Sequence, residues 1–305
     1  MTTHLVTPAT AHRHLLAAAF LAVGSAAYVL VSGVLAVGVP PEEPAARRLA
    51  RAQEFHLRAQ QRTGLLVPLY VYPGRLERNE AYRRLIEAKR RYETLPMWVI
   101  VNPASGPGER TDPNYTRAID RLRGAGCVVL GYVSTSYGRR PRQDVQQDID
   151  RWLEFYPRVH GIFFDEMIYE DDDQAVEYQA GLSRYAHERG CWPTVANPGA
   201  DTPARYFAQE AADVIVIHEG PNWPAEARLA GGAAGGYADH PPHTRAVLVH
   251  SQAELNKEAL RMVRQHARWI YVTEGVYRPN DPTAANPWGR LSGHLEAMCQ
   301  ALLVE

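Results

Sequence analysis

The ten residues 159–168, VHGIFFDEMI, combine an apolar run with two adjacent carboxylates at its end, Asp165 and Glu166. A short apolar run bounded by glycine and rich in β-branched and aromatic residues is typical of a buried parallel strand. Acidic side chains at the C-terminal end of such a strand lie where an α/β barrel or an open α/β sheet places its chemistry. The alternative is that the acids only begin the next helix, and this suits residues 171–173 better than Asp165 and Glu166.

The sequence from residue 65 onward alternates strand patterns with helix patterns. The predicted strands cover residues 65–72, 97–101, 128–133, 162–164, 194–196, 213–217, 246–249 and 269–272. Between them, Asp112 followed by Pro113 is typical of a helix N-terminus. Eight strand–helix units match a TIM barrel, which typically has about 250 residues. The predicted fold class is therefore α/β, a (β/α)8 TIM barrel preceded by an N-terminal hydrophobic helix, with a doubly wound open sheet as the alternative.

The N-terminal region contains an unbroken apolar stretch. Residues 15–39 carry no charged side chain, which exceeds the roughly 7–15-residue core of a cleavable signal peptide and suits a membrane span of about 20 residues. The alternative is a helix buried in the fold, and arginines on both sides leave the orientation open. We expect a transmembrane anchor or uncleaved signal segment at 1–39, a linker at 40–63 and the barrel at 64–305. The protein is then expected at the cell surface or outside the cell, with the membrane as one partner.

The composition argues against several classes of protein. Hydrophobic residues make up 46% and charged residues 22% of the chain, as in globular proteins with a sizeable core. The net charge of -1 argues against a nucleic-acid partner, because such proteins usually carry a basic patch. Cys127, Cys191 and Cys299 are widely separated and predict neither a zinc motif nor a disulfide framework. Lys89 and Lys257 are the only lysines and both lie in helical patterns, which disfavours Schiff-base chemistry, pyridoxal phosphate and a phosphate-binding loop, so no cofactor and no metal are predicted.

Polar residues follow most of the predicted strands, and a barrel brings such residues together at one face. They are Tyr70, Tyr72, Asn102, Tyr132, Ser134, Tyr137, Asp165, Glu166, Asn197, His218, Glu219, His250 and Glu274. Glycoside hydrolysis needs one acid to protonate the leaving oxygen and one carboxylate to attack or to activate water, and this set supplies both. Its aromatic rings can stack on sugars, although packing is the alternative for each tyrosine. His218 and His250 have the alternative role of orienting a carboxylate.

Several segments, in chain order, resemble the spherulin-4 family. They are residues 66–73 (LVPLYVYP), 101–108 (VNPASGPG), 131–138 (GYVSTSYG), 148–157 (DIDRWLEFYP) and 161–166 (GIFFDE). The similarity leaves out the apolar N-terminal stretch and the linker. It implies a (β/α)8 barrel and an endo-acting glycoside hydrolase that cuts α-1,4-linked polymers containing galactosamine and N-acetylgalactosamine, which occur in microbial biofilm matrices.

The resemblance also implies roles for individual residues. Asp165 would be the nucleophile and Glu219 the general acid/base of a retaining mechanism, while Glu166 positions the substrate or tunes its neighbours. Substrate contacts are expected from Tyr70, Tyr72, Asn102, Tyr132, Tyr137, Asn197, His218 and Glu274. Because successive residues of a strand point to opposite faces, only one of Asp165 and Glu166 is expected to face the sugar squarely. Retention requires the two working carboxyl groups to lie about 5–5.5 Å apart, and inversion roughly 6.5–9.5 Å.

Two other functions fit the same residues. Asp165, Glu219 and Glu274 at three strand ends offer the oxygen ligands that magnesium takes, which would give a metal-dependent barrel enzyme. No lysine stands at a predicted strand end to serve as the base of an enolase-like reaction, which weakens this hypothesis. The other candidate is a non-catalytic glycan-binding protein of a surface or matrix, because a fold does not determine a function. The carboxylates at the matching positions favour an enzyme.

Overall fold

Eight strands pair in chain order and close into a barrel, with the last strand beside the first. The computed structural model describes residues 62–231, 239–278, 280–281 and 286–303. Its strands are β1 (Gly64–Leu69), β2 (Met97–Val101), β3 (Val128–Ser134), β4 (Gly161–Asp165), β5 (Thr194–Asn197), β6 (Val214–Gly220), β7 (Arg245–Val249) and β8 (Trp269–Val272). All of these pairings are parallel. The closed, parallel arrangement confirms the predicted (β/α)8 TIM barrel and excludes the alternative of an open sheet.

Helices connect successive strands. Within the described residues they are α1 (Glu80–Arg91), α2 (Pro113–Gly124), α3 (Arg142–Phe155), α4 (Asp173–Glu188), α5 (Ala204–Ala208), α6 (Glu226–Gly231), α7 (Lys257–His266) and α8 (Leu295–Leu303). Two short 3-10 helices, Leu76–Arg78 and Pro242–Thr244, complete the elements. Strand–helix–strand connections between parallel strands of a closed barrel place the helices outside it, where each buries one apolar face on the strands.

The core fills the barrel and the layer between strands and helices. Every residue of β1, β2, β5, β7 and β8 is buried. Strands of this kind are buried on both faces, because side chains fill the barrel interior and helices cover its outside. Trp98 of β2 and Trp269 of β8 stack with their ring centroids 3.5 Å apart.

Side-chain caps begin four of the helices, and one of them is α7, where Asn256 accepts hydrogen bonds from the Glu258 and Ala259 backbone N–H groups. Asp112 accepts a hydrogen bond from the Asn114 backbone N–H, and Pro113 occupies the first turn of α2, as predicted. Asp172 accepts a hydrogen bond from the Ala175 backbone N–H at the start of α4. This acid therefore begins a helix, which is the alternative that the sequence favoured for residues 171–173. Asn79 caps α1 in the same way.

Gly161 explains how β4 enters the sheet. A Cβ at this position would lie 1.9 Å from the carbonyl oxygen of Pro193, so no larger residue fits without moving the backbone. The glycine lets β4 approach the segment before β5, and the two strands then run in register from Ile162 opposite Thr194 to Asp165 opposite Asn197. This register places the carboxylate that ends β4 beside the amide that ends β5.

The predicted N-terminal hydrophobic helix at 1–39 lies outside the described residues, as does the linker at 40–63 apart from its last two residues. Across the part of the chain that the structure describes, no helix combines the length and the apolar character needed to cross a membrane. Cys127, Cys191 and Cys299 are all buried.

Candidate active site

A cleft of about 490 Å³ opens at the carboxyl ends of the strands. The residues predicted for the site that line it are Tyr70, Asn102, Tyr132, Tyr137, Asp165, Glu166, Asn197, Glu219 and His250. This is the face at which TIM-barrel enzymes carry their active sites. The structure therefore brings together side chains from seven of the eight strand ends.

Asp165 and Glu219 are joined by a single amide. Asn197 Nδ2 donates to Asp165 Oδ1 at 2.9 Å and to Glu219 Oε2 at 2.5 Å. The backbone N–H of Gly199 donates to Asn197 Oδ1, which turns the NH2 group towards the two carboxylates. Because one nitrogen contacts both oxygens, the distance between these two oxygens is at most the sum of the two contacts, about 5.4 Å. This limit lies below the roughly 6.5–9.5 Å between the carboxyl groups of inverting glycosidases.

Asp165 lies at the floor of the cleft with its charge poorly compensated. Burial raises the pKa of its carboxyl group to about 7, and the negative charge of Glu219 adds to the effect. The Tyr132 hydroxyl, which donates to Oδ2 at 2.8 Å, and the Asn197 amide act in the opposite direction. The raised pKa lets Asp165 exchange a proton close to neutral pH, a property typical of carboxyl groups in acid–base active sites.

A register shift in β6 aims Glu219 into the cleft. The pairing with β7 moves from Val216 opposite Ala246 to His218 opposite Val247, which leaves one residue of β6 extra. After this bulge Glu219 pairs with Leu248, another residue of the cleft lining. Bulges of this kind re-aim side chains next to active sites. The sequence had predicted a strand ending at residue 217, but β6 continues to Gly220 and carries Glu219 within it.

Glu166 adopts a backbone conformation that is unusual for a residue with a side chain, with φ of +54°. Its carbonyl accepts hydrogen bonds from the Tyr137 backbone N–H and the Thr135 hydroxyl, both at 2.6 Å. Its carboxylate accepts one from Ser134 at 2.6 Å. The left-handed turn lets both neighbouring acids line the cleft, where regular strand alternation would have sent them to opposite faces.

The comparisons with known proteins agree with this architecture. The family described as Spherulation-specific family 4 (Spherulin4) matches residues 64–302. The chain belongs to the spherulin-4 family. The matched residues cover the whole barrel, including Asp165, Asn197 and Glu219, so the site described above lies within the family's region of similarity.

Two known proteins show how similar this chain is to its relatives. Spherulin-4 of Physarum polycephalum is 34% identical over 160 residues, which cover 52% of this chain and 46% of that protein. The matched region thus spans about half of the length of spherulin-4. The crystal structure of Aspergillus clavatus Sph3 in complex with GalNAc superposes with a TM-score of 0.65 at 25% identity, and covers 79% of this chain and 97% of that one.

Trp288 is a site residue that the sequence did not reveal. Its indole Nε1 donates to Glu219 Oε1 at 3.0 Å, and the side chain is only 5% exposed. It lies in the segment between β8 and α8, together with Asn286 and Pro287, which also line the cleft. The available signal was weak: an Asn-Pro-Trp-Gly turn that follows the last strand, on the face where barrel loops carry function.

Three predicted site residues lie away from this spherulin-4 cleft. Tyr72 is 56% exposed, and its hydroxyl contacts Asp112 and Asn114 at the start of α2. His218 is buried, with its Nε2 2.8 Å from the Asn222 carbonyl oxygen. Glu274 lines a separate cavity of about 240 Å³.

The charge of the cleft is one-sided. Asp165, Glu166 and Glu219 line it, whereas no lysine or arginine does so among the described residues. His250, the remaining basic side chain there, has its pKa lowered by burial, so that the neutral ring is favoured. In the described part of the chain, no group of three or more His, Cys, Asp or Glu side chains is arranged to hold a metal ion, and the Glu274 of the hypothetical magnesium site faces a different cavity. The arrangement can protonate a leaving oxygen and supply a carboxylate at the same bond of a substrate.

Proposed function

We propose that this protein is an endo-acting glycoside hydrolase that cleaves an α-1,4-linked polymer containing galactosamine and N-acetylgalactosamine. The observation that carries the proposal is the Asn197 amide, which holds one oxygen of Asp165 and one of Glu219 within about 5.4 Å of each other in an open cleft. Family membership and the similarity to Sph3, whose crystal structure contains GalNAc, support a carbohydrate substrate.

The proposed reaction proceeds in two displacements. An Asp165 carboxylate oxygen bonds to the anomeric carbon while the bond to the leaving oxygen breaks, and the proton of Glu219 passes to that oxygen. Glu219 then takes a proton from water, whose oxygen displaces Asp165 and regenerates both groups with net retention. Glu166, one residue after the nucleophile and hydrogen-bonded to Ser134, is proposed to bind sugar hydroxyls or amines.

The surroundings of the pair suit an amino sugar. A cleft with three carboxylates and, among the residues that the structure describes, no lysine or arginine in its lining repels anionic polymers and accepts neutral or cationic ones. A cationic amine bound beside Asp165 would favour its ionised form, the form that attacks. The exposed rings of Tyr137 and Tyr277 border the cleft and offer stacking surfaces to adjacent sugar units.

We also propose that the protein acts at the cell surface or outside the cell, with residues 1–39 as its membrane anchor or export segment. The support is the uncharged stretch at 15–39. Protease treatment of intact cells tests this proposal: loss of the barrel domain without lysis is expected, and protection of the barrel until lysis would place it inside the cell.

The experiment that tests the activity incubates the full chain with partly deacetylated α-1,4-galactosaminoglycan and identifies products by mass spectrometry. Asp165→Asn, Glu219→Gln and a chelator-treated sample run in parallel. We expect oligosaccharides of mixed length from the parent, insensitive to chelator and absent from both variants. Proton NMR of the first product formed then reports whether the anomeric configuration is retained.

Other outcomes would redirect the proposal. A polymer that binds and stays intact would make the protein a glycan-binding module. Cleavage that stops on chelation would instead indicate a metal-dependent enzyme, and products of inverted configuration would exclude Asp165 as a nucleophile.

A further inference from the structure

The strongest unexplained contact of the cleft is the one between Trp288 and Glu219. An indole N–H is a donor only, so it gives Glu219 Oε1 a fixed partner at 3.0 Å. The indole is itself packed between aromatic neighbours, with ring centroids 6.0 Å from His250 and 6.0 Å from Tyr271. These ring contacts with His250 and Tyr271 orient the indole independently of Glu219.

The backbone that carries Trp288 is fastened to the end of β8. Both oxygens of Glu274 lie near the Gly293 N–H, at 3.2 and 3.0 Å, and Arg290 donates to Oε1 at 3.1 Å. Gly275 allows the chain to pass closely, since a Cβ there would lie 2.1 Å from the Pro287 carbonyl oxygen. Glu274, which the sequence predicted to contact substrate, thus holds the Trp288 segment on its C-terminal side.

We propose that Trp288 is a positioning residue for Glu219, held in place by Glu274, and that it directs the transferable proton to Glu219 Oε2. This inference rests on the proposed function, in which Glu219 is the acid/base. With Oε1 directed at the indole, Oε2 is the oxygen on the side of Asp165 and Asn197. The Oε2–H bond breaks as the proton passes to the leaving oxygen, and the charge left on Glu219 is then stabilised by two N–H donors, from Trp288 and Asn197.

Removing one of these donors should slow the chemical step more than binding. We expect Trp288→Phe, which keeps an aromatic ring, to lower kcat roughly 10–100-fold with KM within about twofold, a smaller loss than for a donor aimed at the reacting atom itself. The alkaline limb of the kcat/KM profile should move to higher pH, because an ionised Glu219 has lost a partner. The titratable groups that face Glu219 and are unchanged in this variant are Asp165, Glu166, Tyr70, Tyr132, Tyr137 and His250.

The matched control is Trp269→Phe. Trp269 also donates its indole N–H, to the His243 carbonyl oxygen at 3.1 Å, but it begins β8 at the opposite end of the barrel. This substitution removes an equivalent hydrogen bond and makes the same change of ring, from indole to phenyl, without touching Glu219. We expect it to lower the unfolding temperature and to leave kcat and the pH profile unchanged; the same behaviour in Trp288→Phe would overturn the inference.

A second readout does not depend on turnover. The chain has six tryptophans, so their indole N–H signals are resolvable in a two-dimensional 15N spectrum, and that of Trp288 is assigned by its loss in Trp288→Phe. We expect this signal to shift in Glu219→Gln and to exchange faster with solvent in Glu274→Gln, while the Trp269 signal stays in place. If the parent cleaves no polymer, the proposed function fails, but the spectrum still decides the positioning: a Trp288 signal that ignores both substitutions would disprove it.

Discussion

Two aspartates at opposite ends of the barrel are held in opposite electrostatic states. Asp165 ends β4 at the carboxyl face, where burial and the charge of Glu219 raise the pKa of its carboxyl group to about 7. Asp213 immediately precedes β6 at the amino face. Burial also disfavours its charge, but His187 and hydrogen bonds from Thr194 outweigh this and hold its pKa below the usual range.

The difference lies in what each carboxylate faces. Asp213 Oδ2 has the Thr194 N–H at 2.7 Å, the Thr194 hydroxyl at 2.8 Å and His187 Nε2 at 2.8 Å, so its charge is fully compensated. Asp165 has two neutral donors and a second acid within about 5.4 Å. One end of the barrel uses an aspartate to join elements, and the other keeps one in a state suited to chemistry at a cost in stability.

The largest expected effect is the loss of activity in Asp165→Asn. We predict a fall in kcat of at least about 10³-fold, because the amide cannot attack the anomeric carbon. Product release from the polymer, followed by mass spectrometry, measures it. Asp213→Asn is the control and should keep the parent's kcat per folded molecule. Equal losses in the two variants would show that the substitutions act through folding.

The second prediction concerns the folding role of Asp213. Asp213→Asn should lower the free energy of unfolding by about 1–3 kcal/mol, because one amide oxygen without charge replaces an acceptor of three close donors. Urea unfolding at pH 7, followed by circular dichroism, measures the change. A variant as stable as the parent would mean that the cluster around Thr194 contributes nothing to folding.

The sequence placed some strand-end residues of the site correctly and others incorrectly. The sequence predicted that Asp165 and Asn197 lie on the same face, because strand ends in a parallel barrel share one face and both strands had clear apolar patterns. Their direct hydrogen bond comes from the structure. Glu219 was assigned by resemblance, but its aim depends on the β6 bulge, which leaves no mark in the apolar pattern. Strand-end position also misplaced Glu274 and His218, whose partners are backbone groups that only the folded loops supply.

Trp288 is a site residue that the sequence analysis missed. It stands well beyond the end of β8, and its contact with Glu219 is set by the path of an irregular segment. Periodicity identifies residues on strands and helices, but it contains no information about where a loop returns. Asp213 escaped notice for a related reason: it was included in a predicted strand, and its partners come from α4 and from the start of β5.

The third prediction separates the two aspartates by pH. The folded pKa of Asp165, about 7, exceeds the unfolded value of about 3.9, so the stability linked to this group is present below about pH 4 and is lost as the pH rises towards 7. Asp165→Asn should therefore be more stable than the parent at pH 8, by about 0.5–2 kcal/mol, with this gain absent at pH 4.

Asp213 should behave in the opposite way. Its folded pKa lies below the unfolded value, so its contribution is present above about pH 4 and is lost as the pH falls further. The deficit of Asp213→Asn should thus be largest at neutral pH and shrink below pH 3. Urea titrations of both variants and the parent at pH 3, 4, 6 and 8 test the pair, and parallel curves for the two variants would contradict the assignment of opposite shifts.

The smallest effect tests which cause dominates at Asp165. Burial is the larger contribution to its raised pKa and the charge of Glu219 the second, so Glu219→Gln should lower the pKa from about 7 yet leave it above the ordinary value of about 3.9. The side-chain carboxyl 13C signal of Asp165, assigned by its loss in Asp165→Asn, reports the titration. Glu296→Gln removes a carboxylate that pairs with Arg91 between α8 and α1 and does not act on Asp165, so it should leave the titration unchanged. If Glu219→Gln returned Asp165 to the ordinary value, the pair of acids, and not the cleft floor, would set its state, and the contrast with Asp213 would rest on charge alone.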